Sequence, residues 1–203
     1  IKPFPKVSER PCIFERIYFS RPDSIVGGKT VYSYRKNLGE ELAKEYPIDV
    51  EVVVPVPDSG VPAALGFAQK SKIPFELGII RNHYVGRTFI EPSQNIRQFG
   101  VKLKHNANLS FINGKKVVLI DDSIVRGTTA KKIIKMIYDA GAKEVHMGIA
   151  CPPITNPDFY GIDTPDYNEL ISSKHNIEEV NSIIGSKSLF YLSLDGTYKA
   201  MGY

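Results

Sequence analysis

The stretch KKVVLIDDSIVRGTTAKKI, residues 115–133, decides the fold. Its first half is a β-branched apolar run that reads as a strand buried on both faces. It ends on two adjacent carboxylates, Asp121 and Asp122. A polar loop with Ser123, Arg126 and Gly127 follows, and from Thr128 to Ala140 the spacing of Ala130, Ile133, Ile134 and Ile137 predicts a helix with one apolar face, stopped by Gly141. Gly127 lets backbone amides approach an anion, and the helix N-terminus adds positive potential there. The hydroxyls of Ser123, Thr128 and Thr129 can donate to phosphate oxygens. The carboxylates beside this cradle would repel a phosphate, so they are better matched to hydroxyl groups or a hard cation. Phosphate on one side with a diol and metal on the other describes a ribose 5-phosphate. An isolated Asp-Asp pair could merely cap the next helix; the attached cradle favours the ligand reading.

Outward from this stretch, strands and helices alternate. Tyr34, Leu38, Leu42 and Tyr46 recur every fourth residue and predict a helix over 32–46. DVEVVVPVP reads as a buried strand ending near Val56. The turn Asp58-Ser59-Gly60 then leads into a helix with Pro62 in its first turn. FELGIIR is a second strand. Residues 82–114 lack periodicity and read as a long loop with partial structure, a kind of segment uncommon in compact domains unless functional. EVHMGIACPP is a further strand, ended by Pro152 and Pro153. Short helices are expected over 168–172 and 177–184. The fold class is therefore α/β: a mostly parallel twisted sheet flanked by helices, with a small C-terminal cap. Ligands in such sheets sit at the carboxyl ends of the strands, which directs attention to loops 56–61, 81–104 and 121–129. We divide the chain into a linker over 1–12, a core over 13–155 and a helical extension over 156–203.

Composition narrows the function classes. The 203 residues carry a net charge of +4 with no long basic stripe, which argues against a nucleic-acid partner. Two cysteines form neither a disulfide framework nor a CxxC metal pair, and the four histidines show no ligand spacing. No apolar run approaches the roughly 18–20 residues needed to cross a bilayer. A cytoplasmic protein with no membrane partner is expected.

The stretch over 117–133 resembles the phosphoribosyl pyrophosphate (PRPP) signature of type I phosphoribosyltransferases. CIFERIYFSRPDS, VPVPDSGVPAALGFA, RNHYVGRTFIEPSQ, VVLIDDSIVRGTT and FYGIDTP together resemble the phosphoribosyltransferase half of the glutamine PRPP amidotransferases. The resemblance implies transfer of a 5-phosphoribosyl group from PRPP to ammonia, giving phosphoribosylamine and pyrophosphate at the first step of purine synthesis. It implies that Asp58, Ser59 and Gly60 form a pyrophosphate loop and that Arg81 faces the pyrophosphate. Asp121 and Asp122 would bind the ribose hydroxyls, and Ser59, Asp121 and Asp122 would hold Mg²⁺. Ser123, Val125, Arg126, Gly127, Thr128 and Thr129 would hold the 5-phosphate. Tyr84 and Arg87 would belong to a mobile catalytic loop and, with Asp122, act in catalysis. Purine nucleotide inhibitors and a homo-oligomer are implied as well.

The family's glutaminase domain precedes this half and is not in the sequence, so dependence on free ammonia or on a glutaminase partner is expected. One branch of the family holds an iron–sulfur cluster on four cysteines. Here Cys12 matches a ligand position but Asp158 stands where a second would be, so no cluster is expected and Cys12 is assigned to the core. Two other readings remain open at this stage: a nucleobase phosphoribosyltransferase, and a PRPP-binding regulatory module without turnover.

Overall fold

The structure, a computed structural model, describes residues 12–82, 105–159 and 166–203. Its centre is a parallel sheet of β3 (Val52–Pro55), β6 (Lys116–Asp121), β7 (Glu144–Ile149) and β8 (Ser188–Tyr191), in that spatial order. All four positions of β3 are buried, as are the last five of β6 and of β7. That is the pattern of strands covered on both faces.

The chain reverses direction across the sheet between β3 and β6. Phe75 forms a parallel bridge with Val53, so the segment after β3 lies on the side of β3 away from β6. From β6 onward, each step moves the other way, to β7 and then to β8. Right-handed crossovers therefore put α2 (Val61–Ser71) on one face, and α4 (Thr128–Asp139) and α5 (Ile177–Ile184) on the other. The gap between the carboxyl ends of β3 and β6 is the topological switch point, where ligands of such sheets bind.

Helix α1 (Val31–Glu45) lies against α2 through two reciprocal glycines. A Cβ on Gly39 would stand 1.8 Å from the Ala63 carbonyl oxygen, and one on Gly66 1.9 Å from the Lys36 carbonyl oxygen. Only hydrogen fits at either point, so the backbones pack closer than any side chain would permit. The last helix, α6 (Leu194–Met201), packs on α1, and Ser193 at its N-cap donates from backbone and hydroxyl to Glu45. A hairpin of β1 (Ile25–Val26) and β2 (Lys29–Thr30) precedes α1. No helix among the described residues is long and apolar enough to cross a membrane.

Three sequence expectations change. The tail is not a separate helical cap: Ser188–Tyr191 is a strand of the main sheet, inserting Phe190 against Tyr46 and Phe67. FELGIIR divides at Gly78: Phe75 bridges β3, while β4 (Ile79–Arg81) pairs antiparallel with β5 (His105–Ala107) as a separate ribbon. A Cβ on Gly78 would meet Ile112 and Val54 at 2.8 Å, so the backbone turns against the core there. The partial structure expected in the long loop over 82–114 is, in its described part, β5 and α3 (Leu109–Ile112). Cys12 is exposed and not a core residue, whereas Cys151 is buried.

Candidate active site

Two loops meet at the switch point. Residues 56–61 leave β3 and turn into α2, and residues 121–128 leave β6 and turn into α4. The Pro57–Asp58 peptide is cis. Gly60 packs on the end of β6: a Cβ there would lie 2.4 Å from the Ile120 carbonyl oxygen. This close approach lets Ser59 reach across, and its hydroxyl donates to Asp122 Oδ1 at 2.8 Å. Ser123 donates to the other oxygen, Asp122 Oδ2, at 2.9 Å. The backbone N–H of Asp122 donates to Asp121 Oδ1 at 2.9 Å. Both aspartates are buried.

Burial, and then the charge of Asp122, push the Asp121 carboxyl well above the usual carboxylate range. The buried Cys151 thiol is likewise pushed up, by burial and then by the charges of Asp122 and Asp121. Asp121, Asp122 and the Ser59 hydroxyl offer oxygen ligands only, the kind a hard cation takes.

Among the helices longer than a single turn, the N-terminal ends divide by role. α1, α5 and α6 close their first turns with side-chain caps from Thr30, Asn176 and Ser193. The two helices that begin at the switch point, α2 and α4, open on Gly60 and Gly127 with no side-chain cap. The first-turn N–H groups of α4 are open to a ligand, whereas in α2 the Val61 N–H donates to the Asp58 carbonyl at 3.4 Å and Pro62 carries no N–H. Gly127 sits at φ +74°, a left-handed conformation that costs any L side chain. Thr128 and Thr129 are exposed beside it, and Ser123 is half-buried.

The geometry has close counterparts in known proteins. Residues 31–174 match the phosphoribosyl transferase domain family. The chain belongs to that family. It is 62% identical over 202 residues to the amidophosphoribosyltransferase of Rhizobium etli, covering 99% of this chain and 41% of that protein. With the Bacillus subtilis amidophosphoribosyltransferase it shares 52% identity over 191 residues, 94% of this chain and 40% of that protein. The solved structure of B. subtilis glutamine PRPP amidotransferase complexed with ADP and GMP superposes with a TM-score of 0.86. That match has 52% identity and covers 94% of this chain and 42% of that one. The chain thus spans about two fifths of the length of the curated relatives it matches.

Within this phosphoribosyltransferase fold, the expected site residues fall in three groups. Asp58, Ser59, Gly60, Asp121, Asp122, Ser123, Val125, Arg126, Gly127, Thr128 and Thr129 lie on the two loops and the helix start that follows them. Arg81, the last residue of β4, forms an ion pair with Asp58 and so joins the ribbon to the first loop. Tyr84 and Arg87 lie outside the described residues.

Other residues enter that the sequence reading missed. Arg35 is buried, and donates to the carbonyls of Arg16 at 3.1 Å, Tyr18 at 2.8 Å and Ser20 at 2.7 Å. Burial lowers the pKa of its guanidinium, and the charge of Asp122 opposes that shift. Its helical spacing was a signal, because Val31, Tyr34, Arg35, Leu38 and Leu42 share one buried stripe. Glu169 forms an ion pair with Arg126, and the Ile171 N–H donates to the Val125 carbonyl at 2.9 Å. No local pattern announces these two, whose partners stand more than forty residues upstream. A cleft of about 460 Å³ opens beside them, lined by Arg126, Glu169, Ile171, Lys174 and His175 among others.

Proposed function

We propose that this chain transfers the 5-phosphoribosyl group of PRPP to ammonia, forming 5-phosphoribosylamine and pyrophosphate, as the first step of purine synthesis. The observation that carries the reading is the knot of Ser59, Asp122 and Ser123, set between two uncapped helix N-termini at the switch point. The names of the relatives support the choice of acceptor. A second reading, transfer to a nucleobase, is distinguished by the test below, as is a regulatory module without turnover.

The residues divide the substrate between them. Backbone amides over 124–129, with the hydroxyls of Ser123, Thr128 and Thr129, bind the 5-phosphate. Asp121 and Asp122 take the ribose hydroxyls. The start of α2 and Arg81 receive the pyrophosphate, with Arg81 exchanging Asp58 for it. Ser59, Asp121 and Asp122 would hold Mg²⁺, which neutralises charge on the leaving pyrophosphate. The ammonia lone pair forms the bond to C1 while the C1–O bond to pyrophosphate breaks, its electron pair leaving with the pyrophosphate. The product ammonium then gives a proton to solvent. Positive charge developing on the ribose is favoured by the carboxylate field. Unprotonated ammonia is already nucleophilic, so this scheme assigns no general base. Tyr84 and Arg87 are proposed to complete the pyrophosphate side. Purine nucleotides, carrying the same ribose 5-phosphate, would compete at the cradle, and a homo-oligomer in the cytoplasm is the expected state.

Pyrophosphate release with PRPP and Mg²⁺ tests this. We expect turnover with ammonium salts that rises with pH as free ammonia increases, and none with nucleobases. Release with a nucleobase but not with ammonium would overturn the choice of acceptor. Binding of PRPP without release under either condition would leave only the regulatory module.

A further inference from the structure

The 5-phosphate loop does not stand alone. Three contacts tie it to a short segment from the far end of the chain. The Ile171 N–H donates to the Val125 carbonyl at 2.9 Å. Arg126 forms an ion pair with Glu169. Gly127 rests on the side chains of Ile171 and Ile184, since a Cβ there would meet Ile171 Cδ1 at 2.9 Å and Ile184 Cγ2 at 3.5 Å. Three consecutive loop residues are thus each held from the same side.

The segment is itself braced. Ser173 Oγ donates to the carbonyls of Tyr167 and Leu170, both at 2.8 Å, and Lys174 Nζ to Asn168 Oδ1 at 2.8 Å. Leu170 is fully buried beneath it. The pyrophosphate loop makes none of the contacts named here; its ties run to Asp122, Ile120 and Arg81.

We propose that Glu169 and Ile171 are positioning residues for the 5-phosphate loop. They hold Val125, Arg126 and Gly127 so that the free N–H groups of the α4 first turn face the phosphate. This rests on the assignment of that loop to the 5-phosphate of PRPP. The two residues touch only one of the two anion sites. Their loss should therefore weaken one half of the substrate and spare the other, which general damage to the fold would not do.

The test is equilibrium binding of two fragments, ribose 5-phosphate and Mg²⁺–pyrophosphate, to the whole chain and its variants. Ile171→Ala should weaken ribose 5-phosphate binding about tenfold. Glu169→Gln, at a part-exposed site that tolerates the change, should weaken it about two- to fivefold, the scale of an exposed ion pair. Ile171→Leu, which keeps δ carbons beneath Gly127, should recover most of the loss. Mg²⁺–pyrophosphate binding should be unchanged in all three. With PRPP, KM should rise while kcat holds. Equal weakening of both fragments, or no weakening in Glu169→Gln with loss in Ile171→Ala only through unfolding, would overturn the proposal. Wild-type protein that binds neither fragment would instead overturn the PRPP reading beneath it.

Discussion

Asp122→Asn separates chemistry from stability at this site. The carboxylate accepts Ser59 on one oxygen and Ser123 on the other, at 2.8 and 2.9 Å. The amide is isosteric, but only one of its two terminal atoms accepts, so one serine hydroxyl must turn and accept from the amide N–H instead. Hydroxyls rotate freely enough to do so, and the knot survives. What is lost is the charge that a ribose hydroxyl or Mg²⁺ would meet. A charge-assisted contact contributes roughly 1.5–3 kcal/mol, which predicts a ten- to hundredfold loss in kcat/KM. Stability should move the other way or stay level. Asp122 raises the cost of ionising the buried Asp121, so removing one of two adjacent buried charges relieves repulsion. The assays are pyrophosphate release against PRPP and Mg²⁺ concentration, with thermal melting in parallel. Wild-type kinetics in a folded variant would refute the ligand role. A large fall in Tm would show that the carboxylate is structural.

Three other substitutions probe neighbouring links. Gly127→Ala meets both a φ of +74° and the Ile171 side chain, so it should cost about 1–2 kcal/mol for the left-handed backbone alone and weaken ribose 5-phosphate binding, measured by titration and chemical denaturation. Gly66→Ala should be far worse away from the site. Its Cβ would fall 1.9 Å from a backbone oxygen of α1, and forcing the helices apart should cost about 3 kcal/mol or more, seen as a Tm lower by roughly 6–12 °C or as insoluble protein. His146 is the acid-sensitive point of the sheet. Burial holds its pKa below the ordinary value of 6.5, against the pull of Glu144, with Lys187 and Lys116 adding to the lowering and Ser188 on its other ring nitrogen. The unfolded chain then binds the proton more readily than the folded one, so stability is full above about pH 6.5 and declines as pH falls through that value. His146→Gln should flatten the decline in denaturation midpoints between pH 7 and 5, and an unchanged slope would show that another group is responsible.

Local pattern alone located the centre of this protein. The run over 116–121 is apolar without alternation because both sheet faces are covered, and β-branched residues suit such a strand. The switch to helical spacing after Gly127 reads directly, since Ala130, Ile133, Ile134 and Ile137 all turn to the core. Asp121, Asp122 and the glycine loop are neighbours in sequence, so their joint placement after one strand was legible before any fold. Residue pattern does not pair Ser59 with Asp122, which only the family resemblance grouped, because 63 residues separate them and the placement of β6 beside β3 closes that distance. Edge strand β8 was missed for a related reason. SLFY is short and carries no alternation of its own, and its state is decided by hydrogen bonds offered by β7 and by the ring surfaces of Tyr46 and Phe67. The 169–171 segment reaches the loop over 125–127 only through the crossover from β7 to β8. Propensity and periodicity act over one or two turns of chain, so they specify elements and the chemistry carried on each. Which elements touch is set by sheet order and by close packing across it, and that is a property of the folded chain alone.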